Sequence, residues 1–215
     1  MVVYHFCFDL CFYGFIRANF NEDPFWLGFR TLIVTLFLSL AGISLVLANR
    51  NGISWTDWRK RFSILVGCAV LTSAASYALF PHTWIFFGVL HFIAAASLLG
   101  LIFLRLPKLA LMGGLLLIVI GCTVKLSFFD QAGLQFIGMM TYKPFTEDYV
   151  PLLPWFGVVL IGIFLGYSAL EVKRFASMLK WQPKVATPLA YAGRHSLLIY
   201  MLHQPLLLGV LYLLR

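Results

Sequence analysis

Charged residues are scarce in this sequence of 215 residues. Asp, Glu, Lys and Arg together make up 11% of it, and only 8 positions are acidic, whereas roughly a quarter of a soluble domain is charged. Hydrophobic residues account for 61%. A single soluble core of this length cannot bury that much apolar surface. The composition therefore excludes an ordinary soluble domain and predicts the lipid bilayer as the main partner.

Cysteine is also sparse, and its pattern excludes two classes of site. The sequence has no CxxC pair and no Cys/His spacing typical of zinc, so neither a metal site nor a disulfide framework is predicted. The 4 cysteines lie inside apolar segments, at Cys7, Cys11, Cys68 and Cys122. Cys7 and Cys11 share a helical face and are interpreted as two buried structural thiols.

Apolar runs long enough to cross a bilayer, roughly 20 residues, recur along the chain. Six are predicted to span the membrane, at 28–49, 60–80, 83–104, 108–127, 150–171 and 190–214. Residues 1–16 form a seventh apolar stretch that is too short to cross alone. We predict an all-α polytopic membrane protein with one domain over residues 1–215. It is a bundle of six full transmembrane helices plus a shortened first helix.

Basic residues predict the orientation of this bundle. They are concentrated in alternate loops, as in membrane proteins that use Lys and Arg to fix the cytoplasmic side. The richer set is Arg50, Arg59, Lys60, Arg61, Arg105, Lys108, Lys173, Arg174, Lys180 and Lys184. This pattern predicts a bacterial inner membrane with a cytoplasmic N-terminus and an extracytoplasmic C-terminus. It also accounts for the net charge of +8, so no nucleic-acid partner is predicted.

Ionisable side chains within the apolar segments are the candidates for function, because such groups are costly inside a membrane. His5 and Asp9 are four residues apart and share one face of the first helix. Asp9 can accept a hydrogen bond from one ring nitrogen of His5 and leave the other nitrogen as a base or nucleophile. The alternative is a structural pair that satisfies itself inside the bundle.

Two further histidines fall near the middle of predicted spans. His91 lies in GVLHFIAAASLLG and His203 in YMLHQPLLLG. Each has a structural alternative, a hydrogen bond to a neighbouring helix. Three histidines on three helices also leave a haem ligand pair open as an alternative, although the spacing does not select two of them.

Other polar residues lie near the predicted membrane boundaries, and each has a structural alternative. Arg194 and Ser196 begin the last span, where an arginine can pair with a phosphate or anchor the helix at the interface. Arg30 either binds substrate or extends to the interface. Asp148 either caps the helix that follows it or contacts an extracytoplasmic substrate. The candidate binding residues are Arg30, His91, Asp148, Trp155, Arg194, Ser196 and His203.

Five segments, taken in order, carry a family resemblance. They are MVVYHFCFDL, FLSLAGISLVLA, FGVLHFIAAASLLG, DYVPLLPWFGVVLIGIFLG and GRHSLLIYMLHQP. Together they resemble the bacterial branch of the heparan-α-glucosaminide N-acetyltransferase catalytic-domain family, which is similar to acyltransferase family 3 in its first helix. The resemblance covers essentially the whole chain.

The resemblance implies an integral-membrane acyltransferase. Such an enzyme takes an acyl group, usually acetyl, from cytosolic acetyl-CoA and delivers it to a sugar or glycan on the outer side. His5 stands at the place of the first-helix histidine of the related acyltransferases, as base or transient nucleophile, with Asp9 to orient it. Family members carry an Asp and an Arg-Gly pair earlier on this helix, so we expect the native chain to extend upstream of Met1.

Three other functions remain as alternatives. Mid-membrane histidines can relay protons in a proton-coupled small-molecule transporter. A haem or quinone redox protein and a catalytically inactive membrane subunit are the other two. The acceptor, the acyl chain and the oligomeric state stay open, with a homodimer among the alternatives.

Overall fold

The computed structural model describes residues 1–171 and 186–214, and within these residues all regular structure is helical. The α-helices are α1 (Val2–Phe12), α2 (Pro24–Ala48), α3 (Trp55–Leu79), α4 (Val89–Phe103), α5 (Pro107–Thr123), α6 (Leu152–Glu171), α7 (Ala186–Arg194) and α8 (Ser196–Leu213). Two 3₁₀ turns lie between α5 and α6, at Ser127–Asp130 and Gln135–Ile137. The predicted all-α class is confirmed.

In the described part of the chain, four helices are long and apolar enough to cross a membrane. They are Pro24–Ala48, Trp55–Leu79, Leu152–Leu170 and Ser196–Leu213, and they match the predicted spans 28–49, 60–80, 150–171 and 190–214. The chain is thus a multi-pass membrane protein. The helices α1, α4 and α5 are apolar but have only 11, 15 and 17 residues. Six full spans plus a short first helix therefore stay a prediction.

Two predicted boundaries differ from the structure. The predicted span 83–104 becomes helical only at Val89. Before Val89 the backbone forms hydrogen bonds with side chains instead; for example, the Ile85 N–H donates to Ser76 Oγ at 3.0 Å. The predicted span 190–214 is interrupted at His195, where the backbone leaves the helical region between α7 and α8.

Local sequence explains where several helices begin. The Asp23 carboxylate accepts the Phe25 N–H at 2.8 Å at the start of α2, and the Ser54 side chain accepts the Asp57 N–H at the start of α3. Both satisfy N–H groups that have no partner within the helix. Pro107 opens α5, where its missing N–H costs no helical hydrogen bond.

The described residues form two units, residues 35–171 and residues 1–34 with 186–214. In the unit 35–171, α6 packs against α4 and α5. Glycines bring the backbones together there. A Cβ atom on Gly114 would lie 2.8 Å from the Gly157 carbonyl oxygen, and one on Gly162 would collide with the Ser39 carbonyl oxygen in α2. The small residues allow this close approach, as is common between membrane helices.

In the unit formed by residues 1–34 and 186–214, α1 packs against α8. An aromatic cluster supports α1 from the side. Tyr4 is buried and packs edge-on against Phe20 and Trp26 and at a tilt against Phe29, with ring-centroid distances of 5.6, 6.0 and 6.1 Å. The short α1 is therefore fixed by packing on its neighbours, because a helix of this length is marginal alone.

We expect Gly162→Val to lower the thermal unfolding temperature of the purified protein in detergent. The added side chain must displace the backbone of α2 at Ser39, and overpacking of this kind costs about 1–3 kcal/mol. The matched control is Gly67→Ala in α3, where an added Cβ has nothing within 4 Å. A Gly162→Val protein that melts at or above the wild-type temperature would contradict the close approach.

Candidate active site

Four polar side chains meet where α1 packs against α8. His5 and Asp9 project from one face of α1, four residues apart, as the sequence predicts. His203 and Gln204 project from the middle of α8, just before Pro205. Asp9 is 1% exposed and His203 is 9% exposed. The interface between these two apolar helices thus holds a buried polar cluster.

The imidazole rings of His5 and His203 are in contact. Their centroids are 5.0 Å apart and the ring planes meet at 64°. The His203 Nδ1 atom lies 2.6 Å from the Tyr200 carbonyl oxygen. Because a carbonyl oxygen can only accept, Nδ1 must carry the hydrogen. In the neutral ring the lone pair is then on Nε2, which is buried and has no hydrogen-bond partner within the described residues.

The structure corrects the predicted hydrogen bond between Asp9 and His5. Asp9 Oδ1 instead accepts from Gln204 Nε2 at 2.8 Å, and Asp9 Oδ2 has no partner in the described part of the chain. The physical reason is that Gln204 offers a directed amide donor on the facing helix, which a carboxylate requires when it leaves water. Asp9 also lies within electrostatic reach of His203.

Three buried atoms of this cluster, among the residues described, are without a hydrogen-bond partner. They are Asp9 Oδ2, His203 Nε2 and Gln204 Oε1. A carboxylate oxygen, an amide oxygen and the bare nitrogen of a neutral imidazole are all acceptors. Leaving such a group buried and unpaired costs about 1–3 kcal/mol. The cluster is therefore suited to a bound group that donates hydrogen bonds or a proton.

Arg30 and Tyr4 lie beside this cluster in the same unit. The Arg30 guanidinium lies within electrostatic reach of the Tyr4 hydroxyl, and the Tyr4 ring packs edge-on to His5 at a centroid distance of 5.8 Å. Arg30 is half-buried. The structure thus connects Arg30 to His5 through one aromatic ring.

His91 lies in the other unit, and both of its ring nitrogens are used. The Gly88 N–H donates to Nδ1 at 3.3 Å, so the ring hydrogen is on Nε2, which lies 3.1 Å from the Ser73 hydroxyl oxygen. That hydroxyl donates to the Ile85 carbonyl at 2.6 Å. These bonds join α3, α4 and the connection between them. They favour the structural interpretation of His91.

Asp148 caps a helix other than the one it precedes. Its Oδ2 accepts the Val89 N–H at 2.8 Å, at the first turn of α4. A Cβ atom on Gly88 would collide with this carboxylate, so a larger residue there would have to displace the Asp148 side chain. Nearby, burial raises the pKa of Tyr149 to about 12, and its hydroxyl, which stays protonated, donates to the Gln135 carbonyl at 2.6 Å.

The remaining candidates are Trp155, Arg194 and Ser196. Trp155 is half-buried in the first turns of α6. Arg194 ends α7 and Ser196 begins α8, and both are exposed. Within the described residues, no group of three or more His, Cys, Asp or Glu side chains is arranged to hold a metal ion.

Gln204 is the residue of this cluster that sequence reasoning missed. An uncharged amide is a weak signal beside a histidine and a proline. Its presence in an apolar helix, next to His203, was the available indication.

The family model for heparan-alpha-glucosaminide N-acetyltransferase, catalytic, matches residues 1–205. The chain belongs to this family. The family indicates a membrane acetyltransferase. The matched residues include all four members of the α1–α8 cluster. No curated protein and no solved structure matches the chain.

We expect Asp148→Ala to lower the free energy of unfolding by about 0.5–2 kcal/mol, the usual cost of losing a helix cap. Asp148→Asn is the matched variant, because asparagine can still accept the Val89 N–H. Chemical denaturation in detergent measures both. If Asp148→Ala kept full stability, the capping role would be wrong.

Asp9 and Gln204 are expected to be energetically coupled. Gln204→Leu leaves the Asp9 carboxylate buried without its donor, whereas Asp9→Leu with Gln204→Leu removes both partners. Residues in direct contact show coupling energies of about 0.5–3 kcal/mol in a double-mutant cycle of unfolding free energies. Additive effects would show that the hydrogen bond does not contribute.

Proposed function

We propose that this protein is an integral-membrane acyltransferase that moves an acetyl group from cytosolic acetyl-CoA to a sugar or glycan on the outer side. The observation that carries the proposal is the buried histidine pair of α1 and α8. It lies inside the region that matches an acetyltransferase catalytic family. Acyl transfer needs a group that takes a proton from the acceptor or carries the acyl group, and imidazole serves both roles.

His5 is the proposed base or transient nucleophile. It has a second imidazole at 5.0 Å and the Tyr4 ring on another side. Asp9 contributes to the same cluster through its charge, since its hydrogen bond goes to Gln204. In a low-dielectric site such a charge stabilises a neighbouring imidazolium more strongly than it would in water.

A cavity of about 240 Å³ in the unit 35–171 supports a phosphate-bearing donor. It lies between α2, α3, α4 and α6, and its polar lining includes Asn49, Ser54, Asp57 and Arg61. The Arg61 guanidinium is suited to a phosphate, and Arg61 belongs to the loops predicted to be cytoplasmic. Four more of the residues predicted to be cytoplasmic lie outside the described residues: Lys173, Arg174, Lys180 and Lys184.

The proposal also covers the arrangement in the membrane. Six full spans and a shorter first helix would place α1 and α8 side by side, with their polar cluster at mid-depth. A thioester arriving from the cytoplasm and an acceptor arriving from outside can both reach a group at that depth. This sidedness rests on the distribution of Lys and Arg.

Coenzyme A release from acetyl-CoA by the purified protein tests the proposed function. We expect release that depends on an amino sugar or glycan acceptor, and a fall of about 10²–10⁴-fold in His5→Ala, the usual contribution of a positioned acid-base group. The matched control is His82→Ala, which replaces an exposed histidine in the connection between α3 and α4.

Two outcomes would contradict the proposal. His5→Ala at the wild-type rate would remove His5 from the chemistry. A wild-type protein that releases no coenzyme A across the acceptor panel, but takes up a solute along a pH gradient, would favour the proton-coupled transporter instead.

A further inference from the structure

Two histidines in apolar helices are held in opposite tautomers: His91, half-buried in the first turn of α4, and His203, buried in the middle of α8. In His91, Nδ1 accepts a hydrogen bond and the Nε2 hydrogen faces the Ser73 hydroxyl. In His203, Nδ1 donates to a backbone carbonyl, and the buried Nε2 has no partner within the described residues. Of these two rings, only His203 has a lone-pair nitrogen, Nε2, that makes no hydrogen bond within the described residues.

We propose that His203 is the proton acceptor of the transfer reaction, with its Nε2 atom as the base. This assignment rests on the proposed function and adds to it a specific atom. It gives His5 and His203 different tasks, because the His203 ring is held in one tautomer by the Tyr200 carbonyl. With His203 as the base, the role that stays with His5 is that of transient nucleophile, in a reaction that passes through an acyl group on the enzyme.

Burial and hydrogen bonding both support this assignment. His203 is 9% exposed, so water does not satisfy Nε2 as it would at a surface. An unpaired buried acceptor costs about 1–3 kcal/mol, and a bound hydroxyl or amine would recover that cost by donating to it. The 2.6 Å bond at Nδ1 fixes the ring's orientation before any substrate binds.

The surroundings of His203 suit the charge that forms on it. After Nε2 takes a proton, the ring carries a positive charge, and the Asp9 carboxylate lies within electrostatic reach. Asp9 Oδ2 has no hydrogen-bond partner in the described residues, while Gln204 holds Oδ1. The carboxylate is therefore positioned by Gln204 and keeps one oxygen for the developing charge or for the acceptor.

The proton and electron pairs can be followed through the step. An N–H or O–H of the acceptor gives its proton to His203 Nε2, and the acceptor's lone pair bonds to the thioester carbonyl carbon. The carbon–sulfur bond then breaks, and its electron pair leaves on the sulfur of coenzyme A. The proton on Nε2 passes to that thiolate, which returns His203 to its starting form. If the acyl group passes first to His5, the same base serves the second half of the reaction.

The variant His203→Asn distinguishes the contribution of the Nδ1 atom from that of the Nε2 atom. The asparagine amide can occupy the place of Nδ1–H and donate to the Tyr200 carbonyl, but it has no counterpart of Nε2 and is not a base. We expect the kcat of acetyl transfer to fall about 10²–10⁴-fold. The KM for acetyl-CoA should change by no more than about threefold, because an interaction made only in the transition state is lost.

His203→Gln serves as the second variant, so that a failure of one to fold does not decide the question. Its amide reaches towards the position of Nε2 but cannot take a proton. The matched control is His195→Asn, an exposed histidine at the start of the same helix, which should keep wild-type kcat. Folding of each variant is checked by its thermal unfolding temperature.

The outcomes distinguish this assignment from the proposed function. Wild-type transfer together with a large kcat loss in a folded His203 variant supports the assignment. Wild-type transfer with a folded His203→Asn or His203→Gln protein within tenfold of the wild-type kcat would overturn it and leave the acyltransferase in place. A wild-type protein with no transfer at all would instead overturn the proposed function.

Discussion

A polar atom buried in an apolar helical bundle must find a hydrogen-bond partner inside the protein, because neither lipid nor a packed core supplies one. The unit 35–171 meets this constraint within itself. Ser73 of α3 bonds to His91 of α4, Ser76 accepts the Ile85 N–H, and Asp148 accepts the Val89 N–H at the start of α4. The α1–α8 cluster does not, since three acceptors remain without partners in the described residues. This contrast separates a structural network from a candidate active site.

Close backbone packing is the second physical basis of the fold. Where glycines bring the backbones of α2, α5 and α6 into contact, the helices of the unit 35–171 gain dispersion contacts that large side chains would prevent. Leu160 and Ile163 of α6 are fully buried. The connection at residues 80–88 is held by hydrogen bonds, such as that from the Ile85 N–H to Ser76, and by ring contacts of Trp84, Phe86 and Phe87.

Periodicity and hydropathy predicted the helical class, four of the spanning helices and the pairing of His5 with Asp9 on one face, because these depend on neighbours a few residues away. The partners of the polar groups were not predictable. Gln204 meets Asp9 across 195 residues of sequence, and Asp148 caps α4 across 59. No local pattern encodes such contacts. The expected His5–Asp9 hydrogen bond was wrong because Asp9 bonds to Gln204 instead, although His5 and Asp9 both belong to the cluster. For Asp148, the expected cap was on the helix that follows it, and the structure shows the cap on α4 instead.

The most direct test of the account is the ¹⁵N spectrum of histidine-labelled protein, with its 5 histidines assigned by substitution. The ring nitrogens are followed as a non-cleavable thioether analogue of acetyl-CoA and an acceptor sugar are added together. We expect His203 to start with hydrogen on Nδ1 and His91 with hydrogen on Nε2. On addition, the signals of His5 and His203 should shift while those of His91 stay in place. Shifts at His91 with none at His5 or His203 would contradict the central claim that the chemistry belongs to the α1–α8 cluster.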